Sequence, residues 1–278
     1  EGTLSHGRCS VELMNATGYD FATLGNHDFD DGELELADLL DLARFRPFAR
    51  NLAAAEGTTD QASGPEPRLR DLILDRVLAP PPVVVVEGFR IAFDGLVSEE
   101  TPRITSKRVL TGLTIGTEHA GAMNALLKSK TAGKADALVL VNHVGKDNNA
   151  VIARDVPGID IIIGGHNHRD VLDNGIVVES TGTLLAQGAA SSQALGVITI
   201  EIDPVAKKIV SKTARLRRIM SDPSIRVPRI APIVERYEKS VAAMMDAPVA
   251  AVPEALARDW NLDQPSSLGN WMTQAMLD

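Results

Sequence analysis

Three short stretches of the 278-residue sequence concentrate side chains able to hold a metal or move a proton. They are "GNHDFDDG" from Gly25, "VNH" from Val141 and "GGHNH" from Gly164. Together they carry four of the six histidines, His27, His143, His166 and His168, along with Asn26, Asp28 and Asp30. Neutral imidazole nitrogens and an amide oxygen form a ligand set that suits Zn, Mn, Fe, Co or Ni, with no thiolate to demand a soft ion. Singly, each residue has a plainer reading: Asn26 as a turn residue, His143 as a hydrogen-bonded strand-end histidine, His166 or His168 as a surface-turn histidine. Their joint placement is what points to a metal site. His6 and His119 lie outside the three stretches and keep the plain reading.

Each stretch closes an apolar, strand-like run, at residues 20–24, 137–141 and 159–163. In α/β sheets ligand sites gather at the carboxyl ends of strands, where several loops converge. If these strands are neighbours, their terminal side chains meet in one crevice. Gly25, Gly164 and Gly165 suit such a place, since glycine lets the backbone turn sharply and come close to a ligand.

The remaining pattern supplies the framework. Helices are expected over 9–17, ending at Gly18, and after Gly32, where Leu36, Leu39, Leu40 and Ala43 fall at i, i+3, i+4 and i+7. A strand is read at 48–52, a surface loop at 56–68, and strands at 83–86 and 90–96 joined through Gly88. Helices follow at 117–130 and 148–155. Close-spaced strands at 176–179, 183–187, 196–202 and 208–216 lack intervening helices and are therefore expected to be antiparallel or mixed. Residues 221–232 are Pro-rich, a helix spans about 230–245, and 266–277 begins another unit.

Composition removes several function classes. The formal charge of −9 is the wrong sign for a binder of nucleic acid polymers, though a small anionic substrate stays compatible because a metal can supply local positive charge. No apolar run approaches the ~18–20 residues that cross a bilayer. The single cysteine, Cys9, excludes a disulfide framework and a Cys-based zinc site, and reads as a small, inert, partly buried thiol. No GxGxxG follows a strand, and "GLTIGTEHAG" lacks the Lys-Ser/Thr of a P-loop.

In this order and spacing, "GNHDFD", "VNH" and "GGHNH" resemble the motifs of the calcineurin-like metallophosphoesterases. "EGTLSHG", "VELMNATGYDFATLGNHDFDDG" and the closing "SSLGNWMTQAMLD" are more specifically similar to the 5′-nucleotidase family, whose members act on nucleotides, cyclic nucleotides and UDP-sugars. The likeness runs over nearly the whole chain. It implies an α/β fold, a four-layer αββα sandwich truncated at its N-terminus, with a metallophosphoesterase domain at 1–218, a linker with a helix at 219–260 and the start of a C-terminal domain at 261–278. It implies two divalent metal ions in the full-length parent, Asn26, His143 and His166 on one and His168 on the other. His27 would be no ligand but would sit beside the phosphate, oriented by Asp30. An imidazole paired with a carboxylate is fixed in tautomer and kept more basic, which suits that role; a helix N-terminal charge is the alternative reading of Asp30. Asp28 receives no role. The reaction would be metal-assisted hydrolysis of a nucleotide-like phosphoester, the ions activating water and screening the phosphoryl oxygens. By family the address would be periplasmic, cell-wall or extracellular.

The sequence departs from that pattern in one serious respect. The family carries an Asp-x-His on its first strand and a Gly-Asp on the next, and neither occurs in these 278 residues. The expectation is that both lie upstream of residue 1, that this chain holds at most one ion, weakly, and that it is inactive or nearly so. An exposed sheet edge or apolar face should result. "VNH" also replaces the usual Ser-His. Two other readings share the scaffold: a thiosulfohydrolase of sulfur oxidation, and a non-catalytic binding module. Retention of Asn26, His27, His143, His166 and His168 speaks against the second.

Overall fold

The computed structural model describes residues 3–54, 67–105, 113–131, 134–168, 172–220, 222, 224–248, 251, 255–256 and 265–277. All but the last two residues of the expected loop at 56–68 lie outside them, as does much of the stretch between the last two helices. The elements in chain order are α1 (Arg8–Thr17), β1 (Phe21–Thr23), α2 (Glu33–Leu42), β2 (Arg46–Phe48), β3 (Leu52–Ala54), α3 (Pro67–Leu72), β4 (Val83–Val86), β5 (Phe89–Val97) and α4 (Thr101–Ile104). Then come β6 (Leu113–Ile115), α5 (Glu118–Leu126), β7 (Ala137–His143), α6 (Lys146–Asp155), β8 (Ile161–Gly164), β9 (Leu172–Val177), β10 (Leu184–Gln187), β11 (Ala194–Asp203), β12 (Lys208–Arg218), α7 (Ala231–Met245) and α8 (Ser267–Leu277). The chain divides into two compact units, Glu1–Glu235 and Arg236–Asp278. No residue of α8, in the second unit, is buried.

A six-stranded mixed sheet in the order β4-β5-β7-β8-β10-β9 organises the first unit. The inner strands β5, β7, β8 and β10 are mutually parallel, so their carboxyl ends lie along one edge. Strand side chains alternate between faces. Leu138, Leu140 and Ile162 therefore meet Ile152 and Ala153 of α6 and Ala122 and Ala125 of α5 on one face. Ala137, Val139 and Ile161 on the other face meet Ala214 and the isoleucines of the β11–β12 hairpin. The same alternation decides the site: Asn142 follows Leu140 to the α6 side and donates to Asn149 Oδ1 at 2.9 Å, while His143 follows Val139 to the other.

On that other face also lies the parallel pair β1–β2. Phe21 stacks on Phe93 of β5 at 4.6 Å between ring centroids, and the Thr23 hydroxyl donates to Leu96 O at 3.2 Å. Beyond β1–β2, α2 packs Leu36, Ala37 and Leu40 into a second core with Phe29, Leu69 and Ile73. The Arg8 side chain ties α1 to Glu35 and Asp38 of α2. The succession is helices, sheet, sheet elements, helices, which is the expected α/β four-layer order.

One expectation fails. Residues 48–52 are not a strand: β2 ends at Phe48, and Arg50 and Asn51 turn inward before β3 starts. The reason is polar. Arg50 Nε donates to Asp94 Oδ2 at 2.7 Å with both side chains at most 1% exposed, and its other nitrogens donate to Leu78 O and Ala79 O. Asn51 exchanges two bonds with the Val97 backbone and donates to Gly116 O. Local apolar pattern gives no view of partners this far along the chain.

The outer strand β4 is four consecutive valines, 38% to 60% exposed, hydrogen-bonded among the described residues to β5 on one side only and preceded by Pro80, Pro81 and Pro82. No helix among the described residues is long and apolar enough to cross a membrane.

Buried charge yields two predictions about stability. Arg50→Ala leaves the Asp94 carboxylate buried and unpaired, and should lower the unfolding free energy in urea by about 3–5 kcal/mol. Breaking the exposed Arg226–Glu235 pair by Arg226→Ala should leave the midpoint unchanged. The second concerns Glu118, which is 5% exposed and shares reciprocal backbone bonds with Glu99. Burial, with Glu99 and Glu100 adding repulsion, raises its carboxyl to about 7. Its pKa is higher folded than unfolded, so its contribution is complete below about pH 4.5 and is lost as pH rises through 7. Glu118→Gln should therefore gain about 1–3 kcal/mol over wild type at pH 8 and nothing at pH 4, read from paired urea melts.

Candidate metal centre

β1 ends at Thr23, and Leu24 N still bonds Phe48 O at 2.9 Å before the chain turns at Gly25 into a single 3-10 turn, Asn26–Phe29. Asp28 Oδ2 accepts from Gly25 N at 2.7 Å and closes that turn; burial pushes its carboxyl up. Asp28 thus has a structural task, which the sequence left open. The turn buries Asn26 and sends His27 outward.

Three loops then converge. Asn26 Oδ1 lies 3.1 Å from His143 Nε2 and 3.2 Å from His166 Nδ1, although the residues are 117 and 140 positions apart in sequence. The two imidazoles meet edge to face, 5.0 Å between centroids. Donors bound to one ion at about 2.0–2.1 Å stand about 2.8–3.4 Å apart between octahedral and tetrahedral angles. The donor set and its spacing fit a single divalent ion. Burial, with His166, His27 and His168 adding repulsion, pushes His143 down to about 4, so its ring is neutral at physiological pH, as a ligand must be.

The backbone is shaped for this contact. A Cβ on Gly25 would stand 3.0 Å from His143 Nε2, and one on Gly165 3.3 Å from His143 Nδ1, so the ring sits in a slot between two glycines. His166 itself takes a left-handed φ of 85°, uncommon outside glycine and of a kind found at functional sites.

His27 and Asp30 form a separate pair, Nδ1 to Oδ2 at 2.6 Å, with the His27 side chain 78% exposed. With a proton on Nδ1 facing the carboxylate, Nε2 is the free nitrogen. His168 is exposed and joins no multi-ligand group: no set of three or more His, Cys, Asp or Glu side chains among the described residues is placed to hold an ion. A hollow of about 440 Å³ between α1, α2 and β1–β2 has His27 and Asp30 on its wall but neither His143 nor His166, and among the described residues no Lys or Arg lines it. His119 is exposed on α5, His6 pairs with Asp31 at 3.1 Å, and Cys9 is buried.

The calcineurin-like phosphoesterase profile matches residues 8–170, a span that contains Asn26, His27, Asp30, His143, His166 and His168. The chain belongs to the calcineurin-like phosphoesterase family. Members of this family of phosphoester hydrolases generally depend on two metal ions. Among its relatives, the calcineurin-like phosphoesterase is 26% identical to the trifunctional nucleotide phosphoesterase protein YfkN of Bacillus subtilis over 71% of this chain and 15% of that protein. It is 30% identical to the 5′-nucleotidase of Mus musculus over 57% of this chain and 25% of that one. The crystal structure of a 5′-nucleotidase precursor from Thermus thermophilus superposes on 99% of this chain and 54% of its own with a TM-score of 0.79 at 24% identity, a likeness of fold. Relatives and structures thus extend well beyond the part this chain spans.

Gly25→Ala tests the slot. The added methyl should press the His143 ring aside by a few tenths of an ångström and weaken binding of zinc by roughly tenfold, read by calorimetry, with the thermal midpoint nearly unchanged.

Proposed function

We propose that this chain carries much of the active site of a nucleotide-directed phosphoester hydrolase. The observation supporting it is the convergence of Asn26 Oδ1 with His143 Nε2 and His166 Nδ1, beside a His27–Asp30 pair. Asn26, His143 and His166 would hold one divalent ion, and His168 would serve a second. The ions would supply positive charge against the phosphoryl oxygens and water made acidic enough to attack.

The chain's own groups do the rest. Asp30 holds the His27 ring by Nδ1, fixing the tautomer and leaving Nε2 exposed to take up a proton and give it to the departing ester oxygen. Neither an amide nor an imidazole carries negative charge, so this ligand set brings none to balance a cation. Carboxylate ligands of the Asp-x-His and Gly-Asp kind are absent from the 278 residues and are assigned here to polypeptide beyond this sequence. On that basis the 278-residue chain takes up at most one ion, weakly, and turns over slowly if at all. The same family likeness supports domains at 1–218, 219–260 and 261–278, a nucleotide-like substrate and a periplasmic, cell-wall or extracellular address.

The test joins two measurements. Calorimetric titration with zinc or manganese should show no more than one site, abolished by His143→Ala. Phosphate release from nucleoside monophosphates should be slow in this chain and should rise at least a hundredfold in a longer polypeptide that supplies the carboxylates, falling again on His27→Ala there. Full activity of the 278 residues alone would refute the assignment of ligands. Turnover of thiosulfate-type conjugates but not nucleotides would move the protein to the sulfur-oxidation class.

A further inference from the structure

The buried amides beneath the two histidine loops have no part in the chemistry proposed for the metal centre. Gln187, the last residue of β10, is 4% exposed and pairs in register with Gly164, just before the "GHNH" turn. Its Nε2 donates to Asn167 O at 2.8 Å, and Asn167 is the residue between His166 and His168. A Cβ on Gly164 would stand 2.7 Å from Asn149 Nδ2 and 2.8 Å from Gln187 Oε1, so glycine is what lets both amides close around that backbone. Asn149 Oδ1 in turn takes the bond from Asn142, the neighbour of His143. Gln187 Oε1 and Asn142 Oδ1 are buried without a partner among the described residues, an arrangement that costs stability and calls for a compensating use.

We propose that Gln187 is a positioning residue that fixes the His166–His168 turn by holding Asn167 O, and that Asn149 and Asn142 register the His143 turn against the same point. The physical reason is geometric. His166 sits at a left-handed φ, which a free turn would leave, and the Gln187 bond is a side-chain restraint on the Asn167–His168 peptide just beyond it. The neutral amide suits the task because a carboxylate there would repel the Asn167 carbonyl, and an aliphatic side chain would not hold it. This rests on the metal-centre reading for its purpose but not for its geometry.

The experiment uses NMR on the metal-free 278-residue chain. In wild type the Gln187 side-chain NH2 protons should exchange slowly. In Gln187→Met, close in size but without a donor, the ring signals of His166 and His168 should shift and sharpen while that of His119 stays put. Gln187→Glu should do the same or more. Zinc affinity of the Met variant should drop by on the order of 10- to 100-fold. Unmoved His166 and His168 signals in a folded variant, or fast exchange of the Gln187 amide in wild type, would overturn the proposal; the exchange measurement decides alone if neither variant folds. Signals that move as expected in a chain whose wild type takes no zinc would uphold the positioning role and sink the reading that Asn26, His143 and His166 hold an ion by themselves.

Discussion

The molecule depends on how closely β1–β2 can lie on β5 and β7. At Gly95, in mid-β5, an added Cβ would come within 2.2 Å of Val141 O, 2.9 Å of the Phe48 Cβ and 3.2 Å of the Thr23 hydroxyl. Strands from distant parts of the chain therefore share a place with no room for a methyl group. Gly95 O also takes the bond from Arg50 N at 2.7 Å, and its neighbour Asp94 holds the Arg50 side chain. Close approach and ion pair act together, one permitting the contact and the other fixing its register. The distance from Asn26 to the two imidazoles follows from that contact, because Asn26 is three residues beyond the end of β1.

The electrostatic design is spare. A chain of net charge −9 brings together a buried amide and two imidazoles, one of them kept uncharged by burial and by its neighbours. Nothing in that trio carries the negative charge that would draw a cation strongly. The buried ion pair of Arg50 with Asp94 serves structure, and the carboxylates of Asp28 and Asp30 are already engaged with Gly25 N and the His27 ring. The arrangement is orienting rather than binding, since the ring and amide directions are set before any ion arrives.

Much of this was legible in the sequence, for physical reasons that also mark where legibility stops. The strands ending at His143 and Gly164 are apolar on both faces and announce themselves as buried; the amphipathic spacing of Leu36, Leu39 and Leu40 announces α2. The side chains that converge could be named because few side-chain types bind metals and these sit at strand ends. Arg50 and Asn51 were hidden, since their partners are 28 to 65 residues away and a buried guanidinium looks like a surface one on paper. Asp28 had no visible role until its bond to Gly25 gave it a task in the turn. Gln187 gave no signal at all: a glutamine at the end of a strand is ordinary until the carbonyl it holds is seen between two histidines.

The valine run at the sheet margin has a consequence for the protein as a material. Four β-branched side chains, with one flank of their backbone unpaired among the described residues, form a template on which another chain could dock strand to strand. Three prolines stand immediately before it, without the N–H that would carry the ladder further, and Glu87 immediately after turns away at a left-handed φ of 50°. Any strand added there finds only a four-residue window to pair with.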